Sequence, residues 1–352
     1  MSKTNALILF LAVIIIISSC KNDNQDSVTE NQKAKWIGNA FASLESNQFP
    51  RVKAIAWWHE DFDNSLLKVN SSTESLNAYK KGVSASIFIT SANFYNNKLI
   101  EPSFGIYHSA YPDFGGTEDI ISSERIIDFE TLVNKDIVWA YFSNNWYHHI
   151  QFPKTEVQVI HSTGKIPFIR MMSRSNFDEG GPDPNYTMQK IIDGEFDTEL
   201  NQWAIDAKNT GFPLLVEFGT EVNGNWFPWN GQYNGAGETD EYGDTNLYDG
   251  AERFRDAYRH IIGICNANEV HNISWFFHVD AYSQPNIDWN KIENYYPGDT
   301  YIDWLGVSIY GPQTNNEKYQ DFSEIMNDIY PSLSHLSNKP IAVLEFAITE
   351  KY

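Results

Sequence analysis

Cysteine is nearly absent from this 352-residue chain: Cys20 and Cys265 are the only two. Two thiols cannot build a disulfide framework or a four-thiolate metal cluster. Positive charge is also scarce. The 25 Lys and Arg stand against 46 Asp and Glu, a formal net charge of −21. A surface that acidic repels phosphate backbones and anionic lipid, which excludes nucleic acid as a partner and charge-driven docking on membranes. No strand-like run is followed by G-x-G-x-x-G, so nothing marks a dinucleotide loop. No G-x-S-x-G elbow offers a serine nucleophile. The apolar run Ala6–Ile17 has 12 residues, too few to cross a bilayer as a helix.

That short run does suit a secretory signal, with Lys3 as its positive start. It ends Ile17-Ser18-Ser19-Cys20, which resembles a bacterial lipobox, where cleavage precedes the cysteine and the thiol is lipidated. The expected organisation is a signal peptide over 1–19, a polar tether over 20–30 and one catalytic barrel over 31–352. The expected place is the bacterial cell envelope, at the outer membrane or cell surface. Contact with the membrane would run only through the lipid on Cys20, and the protein is expected to be a monomer.

Aromatic residues are plentiful, with 11 Trp, 19 Tyr and 22 Phe. Such rings serve either as flat platforms for sugars or as core, and composition leaves both open. Apolar runs at 53–58, 104–107, 137–142, 166–172, 213–218, 273–277, 302–309 and 340–346 read as strands. Most are continuous rather than alternating, as in a parallel sheet covered on both faces. Helical stripes lie between them. Phe254, Ala257, Tyr258, Ile261, Ile262 and Cys265 share one helix face, which makes Cys265 a structural thiol. Phe322, Ile325, Met326, Ile329, Leu333 and Leu336 mark another helix, and Trp36, Ile37, Ala40, Phe41 and Leu44 a third. Ser71-x-x-Glu74 has the spacing of a capping box. Eight strands alternating with helices over more than 300 residues predict a (β/α)8 TIM barrel.

Two long segments, 173–186 and 223–250, follow strands and therefore belong to the C-terminal face, where barrels build their sites. Glu221 and Glu345 also end strands. Two carboxyls beside aromatic rings fit glycoside hydrolysis, in which one protonates the leaving oxygen and the other traps the oxocarbenium-like centre.

The sequence resembles glycoside hydrolase family 26, best known for β-mannanases. Four stretches carry the likeness: Tyr186–Trp203, the E-x-N-G-x-W-F-P-W pattern from Glu221 to Trp229, Tyr295–Tyr310, and Pro340–Phe346. The resemblance implies a barrel with retaining chemistry. Glu221 would be the acid/base and Glu345 the nucleophile. Tyr310 would orient the nucleophile, Trp226 would stack near the cleaved sugar, and Asn223 is a further substrate-binding candidate. Two positions depart from the family. Thr220 stands where a histidine usually precedes the acid/base, which puts the exact sugar in doubt. Glu217 stands where a basic residue is common, with Arg170 one strand earlier as its expected partner.

The chain stops seven residues after Glu345, before a last strand and helix could follow. Residues 33–83 resemble the missing part. The expectation is a circularly permuted barrel whose eighth strand comes first. Trp57 and Trp58 then lie on that strand, and Trp57 is expected to face the site. Trp146 is open to either role, sugar platform or packing. His59, His148, His149 and His278 follow strands but are not expected to converge on a metal. The acidic loop 238–249 lacks EF-hand spacing. No cofactor is expected. The function expected is an endo-β-1,4-mannanase acting on polysaccharide. Mixed-linkage β-glucanase, β-1,3-xylanase and a non-catalytic glycan-binding lipoprotein are the alternatives.

Overall fold

The computed structural model describes residues 31–350 apart from 63 and 315. The expected signal segment, the expected tether and Cys20 lie outside the described residues. Eight parallel strands close into a barrel. They are β1 Val52–Trp58, β2 Ile106–Tyr111, β3 Trp139–Asn145, β4 Ile166–Met172, β5 Leu214–Phe218, β6 Ile273–Asp280, β7 Trp304–Tyr310 and β8 Ile341–Ala347. β1 closes the ring between β8 and β2: Trp57 pairs with Phe346 on one side and Ala110 on the other. The strands are buried along nearly their whole length, which is why most of them read as largely apolar runs.

Helices cover the outside: α1 Gln32–Glu45, α2 Thr73–Val83, α3 Ser123–Val133, α4 Lys154–Ser162, α5 Asp197–Asn209, α6 Asp249–Ala267 and α7 Phe322–Leu336. The stripe from Phe254 to Cys265 is the buried face of α6, as its spacing predicts. Two expectations shift. The cap of α2 is Ser72, whose hydroxyl accepts from the Ser75 amide at 3.1 Å, while Ser71 turns to Glu350. The second strand begins at Ile106 and runs on through His108 and Ser109. These polar residues ended the apolar run in the sequence. They are buried all the same, and His108 is satisfied by the Tyr79 hydroxyl at 2.9 Å and the Asp136 carbonyl at 2.8 Å.

α1 packs between α7 and α2. That is the place of a helix following β8, yet α1 precedes β1. The described ends consequently meet in a loop at the C-terminal end of β8. Asn31 donates to the Glu350 carboxylate, and Ser71 and Ser75 donate to it at 2.8 Å each. Lys33, fully buried, donates to the Leu66 and Lys68 carbonyls at 2.6 and 2.8 Å beside this seam.

Trp57 does not face the site. It is enclosed by Trp36, Tyr79 and Phe346 at centroid distances of 6.4, 5.3 and 4.9 Å, and its indole N–H donates to the Leu67 carbonyl. Strand alternation then sends Trp58 inward. Its ring lies 4.0 Å from Tyr111, nearly parallel, at the mouth of the barrel.

Candidate active site

The C-terminal ends of six strands converge on one buried polar cluster. Tyr141 comes from β3, Arg170 from β4, Glu217 from β5, His278 from β6, Ser308 and Tyr310 from β7, and Glu345 from β8. Glu221 joins them from the turn after β5. Gly219 starts that turn at φ +65, where an added Cβ would sit 2.5 Å from the Phe254 ring. Glu221 itself is held at φ +49. For a non-glycine residue such a backbone costs about 1–3 kcal/mol, and it aims the carboxyl over the barrel.

A carboxylate oxygen of Glu221, one of Glu345 and a ring nitrogen of His278 lie within 4.8 Å of one another. Glu345 is surrounded by donors. Tyr310 donates to Oε2 at 2.8 Å, Tyr141 to Oε1 at 3.2 Å, and the Arg170 guanidinium sits 3.3 Å from Oε1. Glu221 accepts from the Trp226 indole N–H at 2.8 Å and from the Ser308 hydroxyl. It makes no ion pair among the described residues.

The charges divide accordingly. Burial pushes both Glu221 and Glu345 up to about 7, and the charge of Glu221 adds to the rise of Glu345. Their partners separate them. The guanidinium and two phenols favour the Glu345 anion, whereas Glu221 has Asp280 beside it, another carboxyl that burial raises to about 7. Burial would also raise Glu217, but the charge of His278, its hydrogen bond and Arg170 outweigh it and hold that carboxyl low. Burial opposes charge on His278, and Glu217 overrides it and raises the imidazole. Arg170 pairs with Glu345 and Glu217, and His278 with Glu217, so Glu221 is the member of the three without an ion pair and the one placed to hold a proton.

The expected pairing of Arg170 with Glu217 is present at 3.4 Å. Thr220, where the resemblance implies a histidine, bonds His278 Nδ1 at 2.8 Å. The imidazole therefore reaches the site from β6 instead. It has no nitrogen to spare for a metal: Nδ1 also meets Glu217 at 2.9 Å, and Nε2 meets the Ser308 hydroxyl at 2.9 Å.

Three other expected site residues sit differently. Trp146 is fully buried against Tyr186 and Phe218, at 5.3 and 6.1 Å, so neither face is free for a sugar. Asn223 is buried too. Its amide clamps the loop after β6, accepting from the Asp280 N–H at 2.8 Å and donating to the Asp280 carbonyl at 2.9 Å. Trp57, as described, belongs to the helical layer. His59 accepts from the Val69 amide, and His148 and His149 are exposed. Sequence reasoning missed Tyr141, Trp58, Ser308 and the part played by His278. The available signal was a polar residue inside a continuous apolar strand, as in ISWFFHVD.

Residues 182–338 match the model of glycosyl hydrolase family 26. The chain is 25% identical over 233 residues to endoglucanase H of Acetivibrio thermocellus, covering 65% of this chain and 23% of that protein. It is 25% identical over 136 residues to a beta-1,3-xylanase of an Alcaligenes species, covering 39% and 24%. It is 27% identical over 112 residues to mannan endo-1,4-beta-mannosidase A and B of Caldalkalibacillus mannanilyticus, covering 32% and 19%. Among solved structures, Bacillus subtilis mannanase man26 aligns over 90% of this chain and 85% of its own, at 14% identity and a TM-score of 0.44. The chain spans about a quarter of the length of the first curated relatives it matches.

Proposed function

We propose that this chain, whose residues 182–338 match the model of glycosyl hydrolase family 26, is a retaining β-glycan hydrolase of that family and specifically an endo-β-1,4-mannanase. The observation that carries the chemistry is the spacing of Glu221 and Glu345, whose oxygens approach within 4.8 Å. Retaining enzymes hold their carboxyls about 5–5.5 Å apart, and inverting ones need roughly 6.5–9.5 Å to admit a water.

In the proposed cycle, neutral Glu221 protonates the leaving oxygen while ionised Glu345 attacks the anomeric carbon. Glu221 then takes a proton from water, which releases the sugar with its configuration retained. Ser308 has a defined part. Its hydroxyl accepts from His278 and donates to Glu221, so it stabilises the anion formed when Glu221 gives up its proton.

The mannanase relative motivates mannan as the first substrate, and the endoglucanase and β-1,3-xylanase relatives put β-glucan and β-1,3-xylan beside it. Reducing-sugar release from mannan, lichenan and β-1,3-xylan should be greatest on mannan. Proton NMR of the first product should show the β-anomer. Early appearance of the α-anomer would make the enzyme inverting. Binding without release from any of the three would favour a non-catalytic glycan binder.

The permuted strand order belongs to the same proposal. Glu221 and Glu345 follow or lie on the fifth and eighth strands here, and the fourth and seventh if counting begins at β2. A chain beginning at Ser84, ending at Val83 and joining Glu350 to Asn31 by a short linker should fold with stability within about 1 kcal/mol of the parent and keep its activity, because the joined ends already touch. Failure of that variant to fold cooperatively in urea would count against the idea.

A further inference from the structure

Phe177 lies in the long segment after β4 and is 44% exposed. Single exposed apolar residues are ordinary. This one is held out by a built support. The guanidinium of Arg174, itself buried, lies 4.5 Å from the centre of the Phe177 ring. Arg174 is fixed from behind, with Nε donating to Asn145 Oδ1 at 2.8 Å and the Phe227 ring 5.8 Å away. The segment is stapled by Asp183, which accepts from the Ser175 hydroxyl and from the Asn185 and Tyr186 amides at 2.8 Å each. It is tied to the site as well: the Gly180 amide donates to the carbonyl of Trp226 at 2.9 Å, and Trp226 holds Glu221.

We propose that Phe177, backed by Arg174, is a stacking platform for a sugar ring of the bound glycan, one step beyond the unit at Trp226. This rests on the site being a glycan hydrolase. The guanidinium covers one face of the ring, so the exposed area is the opposite face and the edge. A pyranose presents a row of C–H groups that fits such a face, and a pre-fixed ring loses little entropy on binding.

The test compares Phe177→Ala, Phe177→Leu and Phe177→Trp. On soluble galactomannan the Ala and Leu variants should raise KM about tenfold with little change in kcat, and Trp should restore it. On a short aryl β-glycoside, which occupies only the units beside the cleaved bond, all three should stay within about twofold. Affinity electrophoresis in a Glu345→Ala background reads binding without turnover. There galactomannan should retard the parent more than the added Phe177→Ala variant. Unchanged retardation on galactomannan, or equal losses on polymer and aryl glycoside, would overturn the platform. An inactive wild-type chain whose galactomannan binding still falls on Phe177→Ala would instead overturn the hydrolase reading and keep the platform.

Discussion

Glu345→Ala is expected to stop polysaccharide turnover, with a loss on the order of 100,000-fold, as when an enzyme loses its nucleophile. Without that carboxylate no covalent intermediate forms. Substrate binding should persist, because Trp226 and the other rings of the mouth remain. The fold should survive as well. Arg170 keeps Glu217 and Glu118 as partners, the latter at 2.7 Å, so no buried cation is stranded. The vacated space is lined by the Arg170 guanidinium and the Tyr310 and Tyr141 hydroxyls, the groups that held the carboxylate. A small anion such as azide should enter it, attack an activated β-glycoside once from the same side, and yield the α-glycosyl azide. Turnover within tenfold of the wild type would remove the nucleophile assignment.

Glu221→Ala should separate substrates by their leaving groups. Polysaccharide cleavage needs proton donation and should fall about 1,000–10,000-fold. A dinitrophenyl glycoside leaves without a proton, so its first step should fall far less and the glycosyl-enzyme should accumulate, visible as a burst and as intact-protein mass. The pH profile gives a second readout. Glu221 must be protonated to act as the acid, so the wild-type rate should decline as pH rises through a value near 7, where burial places this carboxyl. The acid limb reports ionisation of Glu345. Because the two carboxyls are coupled, the limbs belong to the pair. In the variant the basic limb on the activated substrate should vanish, and azide should now give the β-glycosyl azide. Equal losses on both substrate types would point away from an acid/base role.

Local sequence determined most of the scaffold. An unbroken apolar run is what a strand buried on both faces requires, and six residues at helical spacing made α6 legible down to Cys265. It also marked Glu221, Trp226, Tyr310 and Glu345, since each lies in a contiguous motif. β2 was misplaced because His108 and Ser109 interrupt its apolar run, and their partners are remote. Alternation showed that Trp57 and Trp58 face opposite ways, but which faces inward depends on the register of β1 between β8 and β2. Trp146 and Asn223 follow strands as a sugar-binding residue does. Only packing against Tyr186 and Phe218, or against the loop after β6, assigns them to structure. The electrostatics were hidden for the same reason. Which carboxyl keeps its proton depends on Arg170 and His278, and His278 meets Glu217 from 61 positions away. Charge pairing acts through space across neighbouring strand ends, so the proposed division between acid and nucleophile arises only once the barrel has closed.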